Sequence, residues 1–363
     1  MVELRTHPAT RGRTRLAVID CDIHNQPATK EALSPYLSAR WRRHHETFGQ
    51  RGHTGANYPR MNLDAARTDS WPPNGGPPGS DLDFLRHQLL DAWGIEYGIL
   101  NTLIGAGSQR NLEYGAAFAR AVNDWQIDAW LDPEPRLRGS IVVAFEAGDL
   151  AAAEMDRLGG DKRFVQALLY IRTSEPLGRR KYWPIYEAAV RHDLPIGIHF
   201  GGSGGGPITG AGWPSFYIED HAGMPTAFES QVTSMVFEGI FERFPTLKVV
   251  LIEGGFGWLA PLMWRMDNAW RRLKDETPHV RRPPSEYVRE HIWLTTQPME
   301  EPPKSEQFHQ ILAHLDMDDR LMFATDYPHW DFDAPDHAVP ARLAAAVERA
   351  IMAENARALY RLA

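Results

Sequence analysis

The sequence contains a single cysteine, Cys21, among 363 residues. One thiol cannot form an intramolecular disulfide, which excludes a disulfide-stabilised secreted domain and fits a reducing compartment. The sequence also lacks an apolar run near the ~18 residues that a membrane-spanning helix requires. Residues 1–15 are polar and basic, without the apolar centre of a secretory signal. We therefore expect a cytoplasmic protein with no membrane partner.

Clustered basic charge is also scarce. Lys and Arg total 39 residues against 47 Asp and Glu, which gives a formal net charge of -8, and no basic block stands out. We therefore expect no nucleic-acid partner. Hydrophobic residues make up 43% of the chain, enough for a large core. The length fits one α/β barrel with insertions, so we expect a single domain over residues 1–363.

Short apolar segments alternate with amphipathic stretches along the chain. The apolar segments are rich in aliphatic and β-branched residues, a pattern typical of strands buried on both faces. The predicted strands are 16–22, 95–101, 140–145, 164–170, 195–200, 247–253, 291–296 and 321–326. The predicted helices lie near 110–128, 149–158, 182–193, 226–243, 257–274, 304–314, 336–349 and 351–361. This alternation predicts an α/β protein, and eight strands favour a distorted (β/α)8 TIM barrel over an open doubly wound sheet.

Two stretches interrupt the alternation of strands and helices. Residues 25–80, a long insertion after strand one, show little periodicity, and we expect them to form a lid or a substrate-binding loop. Residues 200–225 open with a glycine-rich run, which lets the backbone pass close to a metal or ligand. The side chains predicted to contact a small-molecule substrate lie in these loops or after strands four and five: Trp71, Trp213, Arg172 and His221.

Metal-binding side chains stand at the ends of four predicted strands. They are Asp22 and His24 on strand one, His199 on strand five, Glu253 on strand six and Asp326 on strand eight. The C-terminal ends of barrel strands meet at one mouth, where carboxylates and imidazoles together bind divalent metals. By alternation along strand one, Asp20 shares the face of Asp22 and His24 but lies deeper. We expect Asp20 to support the ligands or to bridge ions.

The roles of two further polar positions stay open at this point. Glu253 is compatible with a metal ligand, a metal bridge or a catalytic base. His329, three residues after Asp326, is compatible with a catalytic contact to ligand or substrate, or with a supporting hydrogen bond. Both are therefore candidate catalytic residues.

The motifs Asp22-x-His24, His199 followed by glycines, and Thr325-Asp326-Tyr-Pro-His resemble those of the amidohydrolase superfamily. The chain is most similar to a branch that contains aminocarboxymuconate-semialdehyde decarboxylase and related ring-acid decarboxylases. The resemblance implies a distorted eight-fold barrel with a metal at its mouth. Two positions depart from the family pattern, because Asp22 stands where a His is common and Glu253 replaces a catalytic His of strand six.

These departures enrich the site in carboxylates. The chain also resembles a carboxylate-rich actinobacterial subgroup with a di-iron monooxygenase of platensimycin-type diterpenoid biosynthesis. That resemblance implies a divalent metal site with two Fe ions, at which the enzyme hydroxylates a bulky, terpenoid-like substrate with dioxygen. Zn and Mn are the alternative metals. The alternative function is a mononuclear metal-dependent hydrolase or non-oxidative decarboxylase. The expected partner is a small molecule, with a homodimer as a possible assembly.

Overall fold

A computed structural model describes residues 16–50, 65–202, 204 and 207–363. Within these ranges eight parallel strands form one sheet in sequential order. The strands are β1 (Val18–Ile23), β2 (Ile95–Leu100), β3 (Leu137–Val142), β4 (Phe164–Arg172), β5 (Ile196–Gly202), β6 (Val249–Ile252), β7 (Ile292–Thr295) and β8 (Leu321–Met322). The predicted α/β (β/α)8 barrel is therefore confirmed.

Helices cover the outside of the sheet between successive strands. They are α1 (Ala39–Phe48), α2 (Leu82–Leu85), α3 (Leu112–Gln126), α4 (Gly148–Leu158), α5 (Trp183–His192), α6 (Tyr217–Ala222), α7 (Pro225–Phe237), α8 (Ile240–Arg243), α9 (Leu259–Leu273), α10 (Pro284–His291), α11 (Ser305–Leu315), α12 (Ala345–Arg349) and α13 (Asn355–Tyr360). None of the helices described is long and apolar enough to cross a bilayer.

Backbone hydrogen bonds bring the last strand segment against the first. The amide of Cys21 donates to the carbonyl of Phe323 at 3.0 Å, and the amide of Asp326 donates to the carbonyl of Asp22 at 3.1 Å. One step further, the amide of His24 donates to the carbonyl of Tyr327 at 2.8 Å. Residues more than three hundred positions apart in sequence therefore become neighbours at the mouth of the barrel.

Apolar side chains of the strands pack against the C-terminal helices. A buried cluster joins strand residues such as Ile19, Ile99 and Val250 to residues of the C-terminal helices such as Ala356 and Leu359. Burial of this much aliphatic surface stabilises the closed barrel. The C-terminal mouth is the end that carries the polar cluster described below.

Several predicted elements differ from the structure, among them strand three, which spans Leu137–Val142 where 140–145 was predicted, and strand eight, which ends at Met322 where 326 was predicted. The helix predicted over 336–349 begins only at Ala345, since Pro340 lacks the amide that a helix interior requires. The helix predicted over 226–243 is interrupted at Gly239, whose φ of 75° is left-handed. Within the predicted 25–80 insertion the structure contains helix α1, although part of that insertion, residues 51–64, lies outside the described residues.

Candidate metal centre

Four of the predicted ligands meet at the mouth of the barrel. One nitrogen or oxygen atom from each of Asp22, His24, His199 and Asp326 lies within 4.8 Å of the corresponding atoms of the others. All four are buried, with His24 the most exposed at 6%. The positions come from β1, β5 and the segment after β8, so barrel closure assembles the group.

The two imidazoles are oriented by backbone carbonyl groups. His24 Nδ1 bonds to the carbonyl of Asn101 at 2.7 Å, and His199 Nδ1 bonds to the carbonyl of Phe200 at 2.6 Å. A carbonyl only accepts, so each Nδ1 carries the proton and each Nε2 keeps its lone pair when the ring is neutral. Both Nε2 atoms face the carboxylates of the group, as in metal sites whose histidines are oriented by a second hydrogen bond.

Asn101 supports the group from below. Its Nδ2 donates to Asp22 Oδ1 at 2.9 Å, and its Oδ1 accepts from Ser140 Oγ at 2.6 Å and from Gln166 Nε2 at 3.0 Å. These contacts fix the Asp22 carboxylate inside the barrel. Sequence reasoning missed Asn101, although it directly follows β2 and the strand-end rule applies to it equally.

Asp20 is not part of this group. Its carboxylate accepts from the amide of Thr325 at 2.9 Å and from the Thr325 hydroxyl at 2.6 Å. The pairing register of β1 shifts between Asp20 and Ile23, which breaks the alternation expected to align Asp20 with Asp22. Burial raises the pKa of Asp20 to about 7, partly opposed by the hydrogen bonds from Thr325.

Glu253 lies beside the group at the end of β6. Its Oε2 is 3.3 Å from His199 Nε2, and only 7% of the residue is exposed. Its φ of 57° is uncommon for a glutamate and strains the backbone where the side chain enters the mouth. Burial, followed by repulsion from Asp326 and Asp22, raises the pKa of Glu253 well above its usual range.

Asp326 is the most heavily hydrogen-bonded carboxylate of the mouth. Its Oδ1 lies 2.8 Å from His24 Nε2 and accepts from His329 Nδ1 at 2.7 Å, and its Oδ2 accepts from Gln297 Nε2 at 3.2 Å. Although burial opposes ionisation, His329 and His24 hold the pKa of Asp326 well below its usual range. Glu253, Asp326 and His329 form a second group of atoms within 4.8 Å, which shares Asp326 with the first.

The donor set fits a divalent cation. Two carboxylates and two imidazoles suit manganese, iron or zinc. The buried carboxylates also need a counter-charge: burial disfavours protonation of His24, yet Asp22 and Asp326 overcome it and raise the pKa of His24 to about 9. A cation at the same place supplies that charge, so the residues present fit the ion.

Two predicted substrate contacts, Arg172 and His221, involve helix α6. Arg172, at the end of β4, donates from Nη2 to Asp220 and lies over the Phe200 ring, with Cζ 4.6 Å from its centroid. His221 bonds through Nε2 to Asp331 Oδ2 at 2.9 Å. The buried Nε of Arg172 has no hydrogen-bond partner among the described residues. Arg172 therefore retains one unused hydrogen-bond donor near the end of β4.

The predicted tryptophans lie further out. Trp71 is 39% exposed and Trp213 is 56% exposed. Neither has a described ring contact or side-chain hydrogen bond to the metal-binding group. The structure thus brings together six predicted residues (Asp22, His24, His199, Glu253, Asp326 and His329) and leaves these two indoles at the surface.

Comparison with known proteins places this geometry in a family. The chain belongs to the amidohydrolase family, whose model matches residues 19–362. It is 30% identical to the γ-resorcylate decarboxylase of Polaromonas sp. (strain JS666 / ATCC BAA-500) over 280 residues, covering 71% of this chain and 79% of that protein. It is 27% identical to the γ-resorcylate decarboxylase of Rhodococcus jostii (strain RHA1), covering 78% and 88%.

Solved structures share the fold. 5-Carboxyvanillate decarboxylase from Sphingomonas paucimobilis superposes with a TM-score of 0.70 at 19% identity, over 96% of this chain and 100% of that one. A dihydroxybenzoic acid decarboxylase from Polaromonas sp. JS666, with bound manganese and the inhibitor 2-nitroresorcinol, gives 0.67 at 21% identity, over 96% and 97%.

These comparisons correct two predictions. The di-iron monooxygenase acting on a terpenoid-like substrate is wrong, because the relatives in sequence and structure are decarboxylases, in agreement with the alternative prediction. Two iron ions are likewise unsupported, whereas a divalent metal is supported by the buried donor group and by the manganese bound in a related structure. The protein is thus an enzyme of a metal-dependent superfamily.

Proposed function

We propose that this protein is a metal-dependent, non-oxidative decarboxylase of small aromatic carboxylic acids. The observation that carries the proposal is the buried group of Asp22, His24, His199 and Asp326, with the carboxyl of Glu253 3.3 Å from His199. The 30% sequence identity between this chain and a γ-resorcylate decarboxylase supports the substrate class.

One divalent ion, with manganese as the first candidate, would be held by the four grouped residues. When bound, it would supply positive charge that binds substrate oxygen atoms and stabilises negative charge developing on them. We assign a single ion because the second group contains Glu253, which is assigned below as the proton donor, and without Glu253 only Asp326 and His329 remain for a second ion.

Glu253 is the proposed proton donor. Its burial and the neighbouring carboxylates favour the protonated form, which a decarboxylase needs before it can deliver a proton. The proton forms a C–H bond with the ring carbon that carries the carboxylate. The C–C bond to the carboxylate then breaks, its electron pair restores the aromatic ring, and carbon dioxide leaves. Ionised Glu253 must afterwards regain one proton from solvent.

Arg172 is the proposed anchor for the substrate anion. Its unpartnered Nε is buried, while Asp220 and Phe200 hold the guanidinium in place from the other sides. Its charge reaches Glu253, where it lowers the pKa against the larger effect of burial. Arg172 therefore lies close enough to hold an anionic group while Glu253 acts on the ring.

His329 is the proposed positioning residue for Asp326. Its Nδ1 bonds to Asp326 Oδ1, and its ring stacks on His24 with centroids 4.6 Å apart. These two contacts restrain one carboxylate ligand and one imidazole ligand together.

The proposal is tested with the purified, manganese-loaded enzyme and a panel of hydroxylated and methoxylated benzoic acids. We expect carbon dioxide release without dioxygen and, in D2O, one deuterium at the ring position that carried the carboxylate. Product formation that requires dioxygen, or hydrolysis of amides or esters without release of carbon dioxide from any acid, would contradict the proposal.

A further inference from the structure

Under the proposed function, on which the following proposal rests, every turnover takes up one proton from solvent. The acceptor of that proton is enclosed, because Glu253 is only 7% exposed and Asp22, His199 and Asp326 are fully buried. A buried acid that must be recharged at each cycle needs a titratable group between it and water.

His221 has the geometry of such a group. Its Nε2 bonds to Asp331 Oδ2 at 2.9 Å, which orients the ring and fixes the proton of the neutral form on Nε2. Its Nδ1 makes no hydrogen bond to any residue that the structure describes and is not enclosed. With 19% of its side chain exposed, His221 touches solvent while remaining anchored to the protein.

The His221–Asp331 pair is attached to the metal centre. Gln297 Nε2 donates to Asp331 Oδ2 at 3.0 Å and to Asp326 Oδ2 at 3.2 Å. One amide group thus joins the pair to a metal-binding carboxylate. The position of His221 on α6 is further fixed, because the adjacent residue Asp220 forms an ion pair with Arg172.

A second titratable side chain of α6, Tyr217, lies beside His221 and is affected by the charge of Glu253. The ring of Tyr217 lies 5.8 Å from that of His221. Burial, and after it the charges of Glu253 and Asp331, raise the pKa of Tyr217 to about 12, opposed by a hydrogen bond from Trp330. The same helix therefore carries His221 and a residue within electrostatic reach of Glu253.

His329 has a similar exposure, 18% of its side chain, but a different place in the site. Its Nδ1 is bonded to Asp326, and its ring stacks on His24. His329 therefore belongs to the metal centre itself, whereas His221 contacts none of the four ligands among its described partners.

We propose that His221, oriented by Asp331, carries protons between solvent and Glu253. Neutral His221 takes a proton at Nδ1 from solvent, and water at the mouth passes a proton from that position to ionised Glu253. Atoms and charge balance, since one proton enters for each carbon dioxide released. No ligand of the metal changes its role in this step.

The charges around His221 suit this function. The hydrogen bond to Asp331 raises the pKa of His221; burial opposes it, and Asp326 and Asp220 add to the rise. Other charged or titratable groups on or against α6 are Arg172 from β4, and Tyr217 and Glu219 of α6 itself, with the Glu219 carboxylate accepting from the amides of Ser215 and Phe216. His221 therefore remains protonated to a higher pH than a free histidine, which keeps protons available near neutrality.

The test compares His221→Gln with wild-type enzyme at low and high concentrations of imidazole buffer. Glutamine retains a donor toward Asp331 but cannot carry protons. At low buffer we expect kcat to fall by about 100-fold with KM nearly unchanged, at the lower end of the usual contribution of a general acid or base. Added imidazole should restore most of the lost kcat, because a free imidazole can replace the missing carrier.

A matched control is His192→Gln. His192 also bonds through Nε2 to an aspartate, Asp156 at 2.7 Å. It is the last residue of α5, however, which leads into the N-terminal end of β5 and so lies away from the mouth. This variant should keep the wild-type kcat at every buffer concentration. Asp331→Asn provides a second test that retains the imidazole: the fall in kcat with rising pH should move to lower pH, because the group that raises the pKa of His221 is gone.

Each outcome decides the proposal. An unchanged kcat of His221→Gln at low buffer overturns it, as does a loss that imidazole does not restore or a change confined to KM. If His221→Gln does not fold, Asp331→Asn with an unshifted pH profile overturns it. Absence of carbon dioxide release by the wild-type enzyme overturns the proposed function as well, so the two failures are told apart by the wild-type measurement.

Discussion

Replacement of Asp326 by asparagine tests the metal centre most directly. Three nitrogen donors converge on this carboxylate, from His24, His329 and Gln297, and its oxygens belong to both groups of candidate ligands. Asparagine has nearly the same shape and tolerates the φ of 59° found here, so the backbone is preserved. The substitution removes the negative charge and replaces the acceptor oxygen that faces Gln297 Nε2 by an NH2 donor, while the remaining oxygen can keep its contacts with His24 and His329.

The expected effect on manganese binding is large. Loss of a residue that merely orients a metal ligand commonly weakens binding 10- to 100-fold, so we expect at least about 100-fold from loss of a charged ligand. With manganese at about 100 times the wild-type Kd, binding stabilises the wild type by about 2.7 kcal/mol and the Asp326→Asn variant by about 0.4 kcal/mol.

These free energies translate into thermal shifts. An unfolding entropy of about 2.1 cal/mol/K per residue gives about 0.8 kcal/mol/K for 363 residues. Manganese should therefore raise the Tm of the wild type by about 3 to 4 °C, and that of Asp326→Asn by about 0.5 °C. Differential scanning calorimetry with and without manganese measures the shift, and isothermal titration gives the Kd directly.

Asp316→Asn is the matched control. Asp316 also has a positive φ, 53°, but its side chain is 80% exposed at the end of α11. It should keep the wild-type manganese shift. Equal shifts for Asp326→Asn and wild type would refute the assignment of Asp326 as a ligand.

Three further predictions concern single side chains. Glu253→Gln should lower kcat about 10²- to 10⁴-fold, as expected for loss of a proton donor, with manganese bound at an unchanged ratio near one ion per chain. Elemental analysis showing two ions in the wild type and one in the variant would instead assign Glu253 to a second metal. Arg172→Gln should raise KM for the aromatic acid with a smaller effect on kcat, measured by initial rates, and an unchanged KM would exclude Arg172 as the anion anchor. Glu134→Gln should destabilise the fold by about 2 kcal/mol at neutral pH, because hydrogen bonds from Arg136, and then from Arg86, lower the pKa of Glu134 to about 2 against the effect of burial. Since a lowered pKa stabilises the fold only where the unfolded carboxylate is ionised, this difference should shrink as the pH falls from about 4.5 toward 2, as measured by urea unfolding, and a pH-independent difference would contradict the ion-pair explanation.

The sequence by itself determined the barrel and named most of the candidate ligands that the structure groups at its mouth. Strand segments buried on both faces are recognisable from short apolar runs, and parallel strands must end at a common mouth. A polar residue at the C-terminal end of such a run, such as His199 or Asp326, is therefore expected to lie at the mouth. The same rule applied to β2 would also have found Asn101.

Tertiary structure decided the alignment within strand one. The alternation rule placed Asp20 and Asp22 on one face, but the register shift in β1 leaves Asp20 bonded to Thr325. A shift of this kind depends on how the neighbouring strand and the segment after β8 pack. Local periodicity contains no information about either neighbour.

Only the tertiary structure revealed how the mouth is held together. His221 and Asp331 are 110 positions apart, and Arg172 and Asp220 are 48 apart, so no sequence spacing predicts either pair. The chemistry was likewise not fixed by residue types, because two carboxylates and two imidazoles bind iron, manganese or zinc alike and support oxidation or decarboxylation. Residue identity sets which atoms can donate electrons to a metal, whereas the relative positions of distant side chains, set by barrel closure, decide which of them meet.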